Sequence, residues 1–159
     1  MKRLWAPWRM TYINGIPKST GCFLCEAARD PAGDLKNLVV WRSGKVFCIM
    51  NRFPYNNGHL MVAPLGHGGE LAGLSVDERA SLVEGLARSQ ALLEKVMKPD
   101  GFNMGLNVGK TAGAGVTDHL HVHIVPRWDG DTNFMPVLAD TKVMPEALSD
   151  LYAKLKEAL

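Results

Sequence analysis

Apolar residues in the first half of the chain come in short, β-rich runs. Leu38-Val39-Val40-Trp41-Arg42 and Val46-Phe47-Cys48-Ile49-Met50 flank Ser43-Gly44-Lys45, which predicts a hairpin. Leu60-Met61-Val62-Ala63, bounded by Gly58 and Pro64, predicts a third strand. The period then changes. Val76, Ala80, Val83, Leu86, Ala87, Leu93 and Met97 recur at helical spacing. Ser75-Val76-Asp77-Glu78 before them is a capping box, in which serine and glutamate satisfy orphan amides reciprocally. Pro99-Asp100-Gly101 stops the pattern, so one helix is expected over 76–97. Phe102–Val108 and His119–Val125 return to strand character, and Pro145 suits the first position of a short helix ending near Leu159. The resulting expectation is α+β: an antiparallel sheet with one long helix packed on it and a short C-terminal helix.

Composition keeps this picture globular. Of 159 residues, 47% are apolar and 21% charged, which excludes a disordered tail, a collagen-like rod and a coiled coil. No repeat or linker divides the chain, so a single domain over 1–159 is expected: an N-terminal segment 1–35, a core 36–140 and a C-terminal helical segment 141–159. Eighteen basic against 16 acidic residues leave a net charge of +2, too even a balance to nominate nucleic acid as partner. No apolar run approaches the roughly 18–20 residues of a bilayer span, so no membrane partner is expected. The basic opening Met1-Lys2-Arg3 runs into Trp5, Pro7 and Trp8 instead of the continuous apolar run of a signal peptide. Three cysteines, two spaced Cys-x-x-Cys, favour reduced thiols and a cytoplasmic location.

The chemistry concentrates in His119-Leu120-His121-Val122-His123-Ile124-Val125-Pro126. On a strand the three imidazoles share one face, about 6.6 Å apart, and Leu120, Val122 and Ile124 take the other. Neutral imidazole is a nucleophile near physiological pH, able to attack phosphorus and carry the group as a phosphoramidate. Gly109-Lys110-Thr111-Ala112-Gly113-Ala114-Gly115 precedes the histidines and offers backbone amides for phosphate. Its Gly-Lys-Thr is not a P-loop, which would need glycine where Met104 stands and a helix afterwards.

His-Leu-His-Val-His-Ile-Val-Pro resembles the signature of the histidine-triad (HIT) family. Asn51-Arg52-Phe53-Pro54 with Gly58-His59-Leu60 is similar to that family's nucleoside-binding strand pair. Leu4-Trp5-Ala6-Pro7-Trp8-Arg9, Pro126-Arg127-Trp128 and Gly130-Asp131-Thr132-Asn133-Phe134 resemble the bacterial diadenosine tetraphosphate phosphorylase branch. The resemblance implies that His121 is the nucleophile on the α-phosphate, that His123 bonds phosphate and supports proton transfer to the leaving group, and that His59 orients their surroundings. It further implies that Asn51 holds ribose and that Asn107 holds phosphate with Lys110, Thr111, Gly113, Ala114 and Gly115; Arg127 would add charge. Many members carry glutamine where Gly115 stands, so one side-chain phosphate contact is missing here.

Cys22-Phe23-Leu24-Cys25 lacks the βαβ context of a thioredoxin-like redox motif and fits half of a tetrahedral zinc site. Zinc-containing HIT proteins and galactose-1-phosphate uridylyltransferases resemble the arrangement, implying a structural zinc held by Cys22, Cys25, His67 and His119. Two unligated thiols with a surface His67 remain the alternative. Cys48, among apolar residues, reads as core.

The expected function is cleavage of diadenosine tetraphosphate, or a related dinucleoside polyphosphate, through a nucleotidyl-histidine that phosphate resolves to ADP and ATP. Alternatives are a hydrolase of dinucleoside polyphosphates or nucleoside phosphoramidates, an adenylyl transferase, and a nucleotide-binding module with little turnover. A transition-metal carrier would need all three triad imidazoles on one ion, which a single strand spreads too far apart. Trp5 and Trp8 in an irregular basic segment, together with the resemblance, point to a homodimer.

Overall fold

The computed structural model describes residues 21–132 and 143–159. The Trp5–Trp8 segment and Asn133-Phe134 lie outside the described residues. Five strands, β1 (Val39–Ser43), β2 (Val46–Met50), β3 (Leu60–Pro64), β4 (Gly101–Leu106) and β5 (Val122–Arg127), form one antiparallel sheet in the order β1-β2-β3-β5-β4. Among the described residues four helices accompany it: α1 (Phe23–Arg29), α2 (Asp34–Asn37), α3 (Val76–Met97) and α4 (Leu148–Glu157). The α+β expectation holds, with the hairpin, the third strand and the long helix where the pattern put them.

Helix α3 begins as its sequence dictates. The Ser75 hydroxyl accepts from the Glu78 amide, and the Glu78 carboxylate accepts from the Ser75 amide at 2.8 Å. Its buried face differs from the expected stripe. Val76, Ala80, Val83 and Ala87 point to solvent, whereas Leu82, Gly85, Ser89, Leu92 and Leu93 are buried. Two small residues sit in that face because the helix lies very close to the sheet. A Cβ on Gly85 would stand 2.8 Å from Val62 Cγ1 and 3.0 Å from Trp41 Cη2.

Both faces of the central strands are covered. Val40, Cys48, Met50, Leu60, Val62, Leu120, Val122 and Ile124 pack under α3 and α4. Val39, Phe47, Ile49, Met61 and Ala63 pack on the opposite face against Leu24 and Ala27 of α1. Hence β2 and β3 read as unbroken apolar runs instead of alternating. Cys48 is core as expected; burial pushes its thiol up to about 12.

The sheet's two edges are treated differently. At β1 a bulge lies between Val39 and Trp41, and α4 covers the edge: Tyr152 Oη donates to Val39 O at 3.1 Å and Lys156 Nζ to Val40 O at 2.9 Å. Among the described residues the β4 edge pairs with β5 alone, and Met104 and Leu106 are exposed. Helix α4 starts at Leu148, with Ala147 as its N-cap. Pro145 therefore precedes the helix instead of opening it.

Neither α1 nor α2 was anticipated from the sequence, and α1 is the one that presents Cys22 and Cys25. Arg42 on β1 ties it down by donating to Ala27 O at 2.6 Å and Ala28 O at 3.0 Å, while pairing with Asp34 at 2.5 Å. The carbonyls that a helix leaves orphaned at its C-terminus thereby gain a cation.

Candidate active site and metal centre

Strand β5 begins at Val122, three residues later than expected. His119 and His121 occupy the segment leading into it, and His123 lies within it, paired with Met61 and Gly105. The alternation survives: Leu120, Val122 and Ile124 enter the core beneath α3, on the other side from the imidazoles.

His119 and His121 each meet a backbone carbonyl that decides the tautomer. A carbonyl can only accept, so His121 Nδ1–H donates to His119 O at 2.9 Å. The His121 lone pair is thereby placed on Nε2. Burial lowers the pKa of His121, partly countered by that hydrogen bond, and the ring is held neutral. His119 Nε2–H donates to Pro64 O at 2.9 Å, which puts its lone pair on Nδ1. Burial lowers the pKa of His119 as well. The His121 and His123 rings stand edge to face with centroids 4.9 Å apart. His59 Nε2 lies 2.9 Å from His123 Nδ1, and the Tyr55 ring packs 4.5 Å from His59 and 5.6 Å from His123. The three histidines expected to act together are thus joined through His123, which meets both His59 and His121.

On the Cys-x-x-Cys side, Cys22 is the N-cap of α1 and Cys25 lies in its first turn, so both thiols leave one end of the helix. Cys25 Sγ is 3.2 Å from His67 Nδ1 and 3.3 Å from His119 Nδ1, and Cys22 Sγ is 3.4 Å from His119 Nδ1. The four candidate ligand atoms lie within 4.8 Å of one another. A tetrahedral zinc with ordinary bond lengths spaces sulfur and nitrogen roughly 3.5 Å apart, so the donor set fits that ion. Burial, then the neighbouring Cys22 thiol, raises the Cys25 pKa above 9.0. A bound cation would reverse that preference by stabilising the thiolates.

The phosphate-loop candidates follow β4. Leu106 pairs with Val122, so Asn107 leaves the sheet at the level of His121. Gly109 (φ 80°) and Gly113 (φ 88°) bracket one 3₁₀ turn, Lys110–Ala112. Both take the left-handed backbone that glycine allows, and this turn exposes Lys110 and Thr111. Ala114 is half-buried and Gly115 exposed. Two of the expected binding residues have partners within the chain. Arg127 is bidentate to Asp131, at 2.6 and 2.9 Å, and also meets Asn103 at 2.5 Å. Its charge is therefore spent on a carboxylate held down to about 2, mainly by that same guanidinium. The Asn51 amide is likewise engaged, as its Oδ1 accepts from the Phe53 amide at 2.9 Å.

The HIT domain family model matches residues 32–130, most of the chain. The chain belongs to the HIT family. A Mycobacterium tuberculosis protein named AP-4-A phosphorylase is 38% identical over 156 residues, covering 94% of this chain and 80% of that protein. Among solved structures, a hypothetical histidine triad nucleotide-binding protein from Sulfolobus tokodaii superposes with a TM-score of 0.70 at 25% identity, covering 86% of this chain and 91% of that one. A zinc-bound histidine triad family protein from Mycobacterium smegmatis gives a TM-score of 0.69 at 23% identity, covering 87% and 92%. At that identity the second likeness shows the fold.

Tyr55 is the participant that sequence reasoning did not name. Its amide donates to His59 Nδ1 at 3.0 Å. The residue type carries no signal for this, because every residue except proline has that donor.

Proposed function

We propose that this HIT protein cleaves diadenosine tetraphosphate, or a related dinucleoside polyphosphate, at the α-phosphate through a nucleotidyl-histidine that inorganic phosphate resolves to ADP and ATP. The observation that carries the reading is His121: buried, neutral, and held by His119 O so that Nε2 keeps its lone pair. The 38% identity to the mycobacterial AP-4-A phosphorylase supports the substrate class and the choice of phosphate as acceptor.

In this reading Nε2 of His121 forms a bond to the α-phosphorus as the bond from that phosphorus to the ATP oxygen breaks. A phosphate oxygen then attacks the same phosphorus, the N–P bond breaks, and ADP leaves with neutral imidazole restored. His123 donates a hydrogen bond to the oxygens in transit, with His59 behind it. Asn107, Lys110, Thr111 and the amides of Gly113, Ala114 and Gly115 supply donors and charge for the incoming anion. With Arg127 committed to Asp131, Lys110 is the cation of this loop that carries that task.

Cys22, Cys25, His67 and His119 would hold a zinc ion whose four positions are all filled by protein, a structural role that fastens α1 to the catalytic strand. Reduced thiols in that role suit a cytoplasmic setting. The open β4 edge, with Met104 and Leu106 exposed, offers a surface for a homodimer. The covalent step is tested by rapid quench, into cold alkaline denaturant that preserves the acid-labile N–P bond, of enzyme mixed with diadenosine tetraphosphate in phosphate-free buffer. Intact mass should show one added adenylyl group, absent from His121→Ala; an unlabelled wild-type protein that nonetheless turns over would refute it.

A further inference from the structure

Asn51 and His59 stand at the two ends of the β2–β3 connection, and Asn51 N–H closes its base by donating to His59 O at 2.9 Å. The orientation of the Asn51 amide follows from one bond. The Phe53 N–H can only donate, and it meets Asn51 Oδ1 at 2.9 Å, so the other end of the amide is the NH₂ group. That group lies 3.4 Å from His59 Nδ1, a long contact. The Tyr55 N–H reaches the same nitrogen at 3.0 Å. Two donors therefore converge on His59 Nδ1, which must offer them its lone pair.

The rest follows by exclusion along the chain of bonds. A neutral His59 with an accepting Nδ1 carries its proton on Nε2. It donates that proton to His123 Nδ1, 2.9 Å away. His123 Nδ1 is then an acceptor too, and a second hydrogen between these two nitrogens would collide with the first. We infer that Asn51 is a positioning residue that, through His59, holds His123 as a neutral imidazole with its proton on Nε2. His123 thus presents a donor of fixed sense. It stabilises a departing polyphosphate oxygen, a weak base, by hydrogen bonding and surrenders no proton. This catalytic use rests on the proposed function; the tautomer itself does not.

The test uses substrate-free, full-length protein labelled with ¹⁵N-histidine and long-range ¹H–¹⁵N correlation spectra, which report the protonated nitrogen of each ring. Wild type should show Nε2–H at both His59 and His123. Asn51→Asp keeps an acceptor for the Phe53 amide but turns the donor facing His59 into a second acceptor. It should bring Nδ1–H character to His59 and disturb the His123 pattern. Asn51→Leu, checked for an unchanged fold by circular dichroism, leaves the Tyr55 amide as a donor on His59 Nδ1 and should disturb the same two rings less than Asn51→Asp does. On diadenosine tetraphosphate Asn51→Asp should lose roughly 10- to 10²-fold in kcat with little change in KM, and Asn51→Leu less. Nδ1–H at His59 in wild type overturns the inference. So does an unchanged ring pattern in Asn51→Asp, or a loss confined to KM, which is the signature of a residue that holds ribose. If the ring patterns move as expected while the wild type cleaves no dinucleoside polyphosphate, the tautomer relay stands and the proposed function falls.

Discussion

His121 has its reactive nitrogen selected by a neighbour two residues away. The carbonyl of His119 accepts the Nδ1 proton, and burial disfavours a second proton on the ring. In the proposed mechanism, removing that imidazole removes the nucleophile while leaving the surrounding donors in place. His121→Ala should therefore lower kcat/KM by more than about 10², beyond the usual worth of one acid–base group, while nucleotide binding persists in equilibrium titration. Retention of more than a hundredth of the rate would contradict the covalent role. At this scale the sequence was informative about side chains and silent about backbone. Alternating histidines exposed the triad, and Cys-x-x-Cys exposed half of the cysteine–histidine cluster. The bonds from His121 to His119 O, from His119 to Pro64 O and from Tyr55 N to His59 use groups that nearly every residue carries. The fates of Asn51 and Arg127 were hidden for the same reason, since residue type announces capacity and the partner decides its use.

Helix α3 shows why periodicity located an element but misjudged its face. Val76, Ala80, Val83 and Ala87 have helical spacing, yet they are exposed, and the real contact face includes Gly85 and Ser89. A hydrophobic pattern weights large apolar residues, whereas a closely packed helix needs small ones where it crosses the sheet. Gly85→Ala gains about 1 kcal/mol of helix propensity. Against that, its Cβ meets buried Val62 and Trp41 at 3.0 Å or less, and overpacking costs about 1–3 kcal/mol. Because neither neighbour is at the surface, the clash should win. Denaturant unfolding should show a net loss of about 1 kcal/mol, and a stabilised variant would refute the close-crossing account. The turn after β5 carries a pH signature. Asp131 accepts from Arg127, Asn56 and the Trp128 amide, and its pKa is about 2 against an ordinary 3.8. The unfolded chain thus binds the proton more tightly, so this contribution is complete above pH 4 and is lost as pH falls from 4 through 2. Asp131→Asn should remove that part of the acid dependence and lower stability by about 1 kcal/mol at neutral pH, discounted because Arg127 is half exposed. An identical acid-unfolding slope in the variant would show that Asp131 carries none of it.

Across the whole molecule, the sheet holds the triad imidazoles on the face away from α3, and α1 brings the thiols to that same region. The α+β class and the single sheet were legible because five short runs and one capped helix leave few arrangements. Helix α1 was not: seven residues with two buried positions make too faint a period, and its place depends on Arg42 and on the cysteine–histidine cluster. A zinc ion there would staple α1 to the catalytic segment. Purified protein should contain about one zinc per chain, and chelation or Cys22→Ser should lower the thermal midpoint by roughly 4–8 °C, about 2 kcal/mol at this size. Metal-free protein with an unchanged midpoint would contradict the staple. If β4 is the dimer edge, the double variant Met104→Lys, Leu106→Lys should sediment as a monomer while the parent sediments as a dimer.

In the proposed reaction the incoming group chooses the fate of a histidine-bound nucleotide, so the most direct measurement is the product pattern from diadenosine tetraphosphate with and without phosphate. With millimolar phosphate, ADP and ATP should form in equal amounts. Without it, a much slower reaction should give AMP and ATP, and Lys110→Ala should depress the first reaction more than the second. AMP as the dominant product at millimolar phosphate would make the protein a hydrolase and contradict the account.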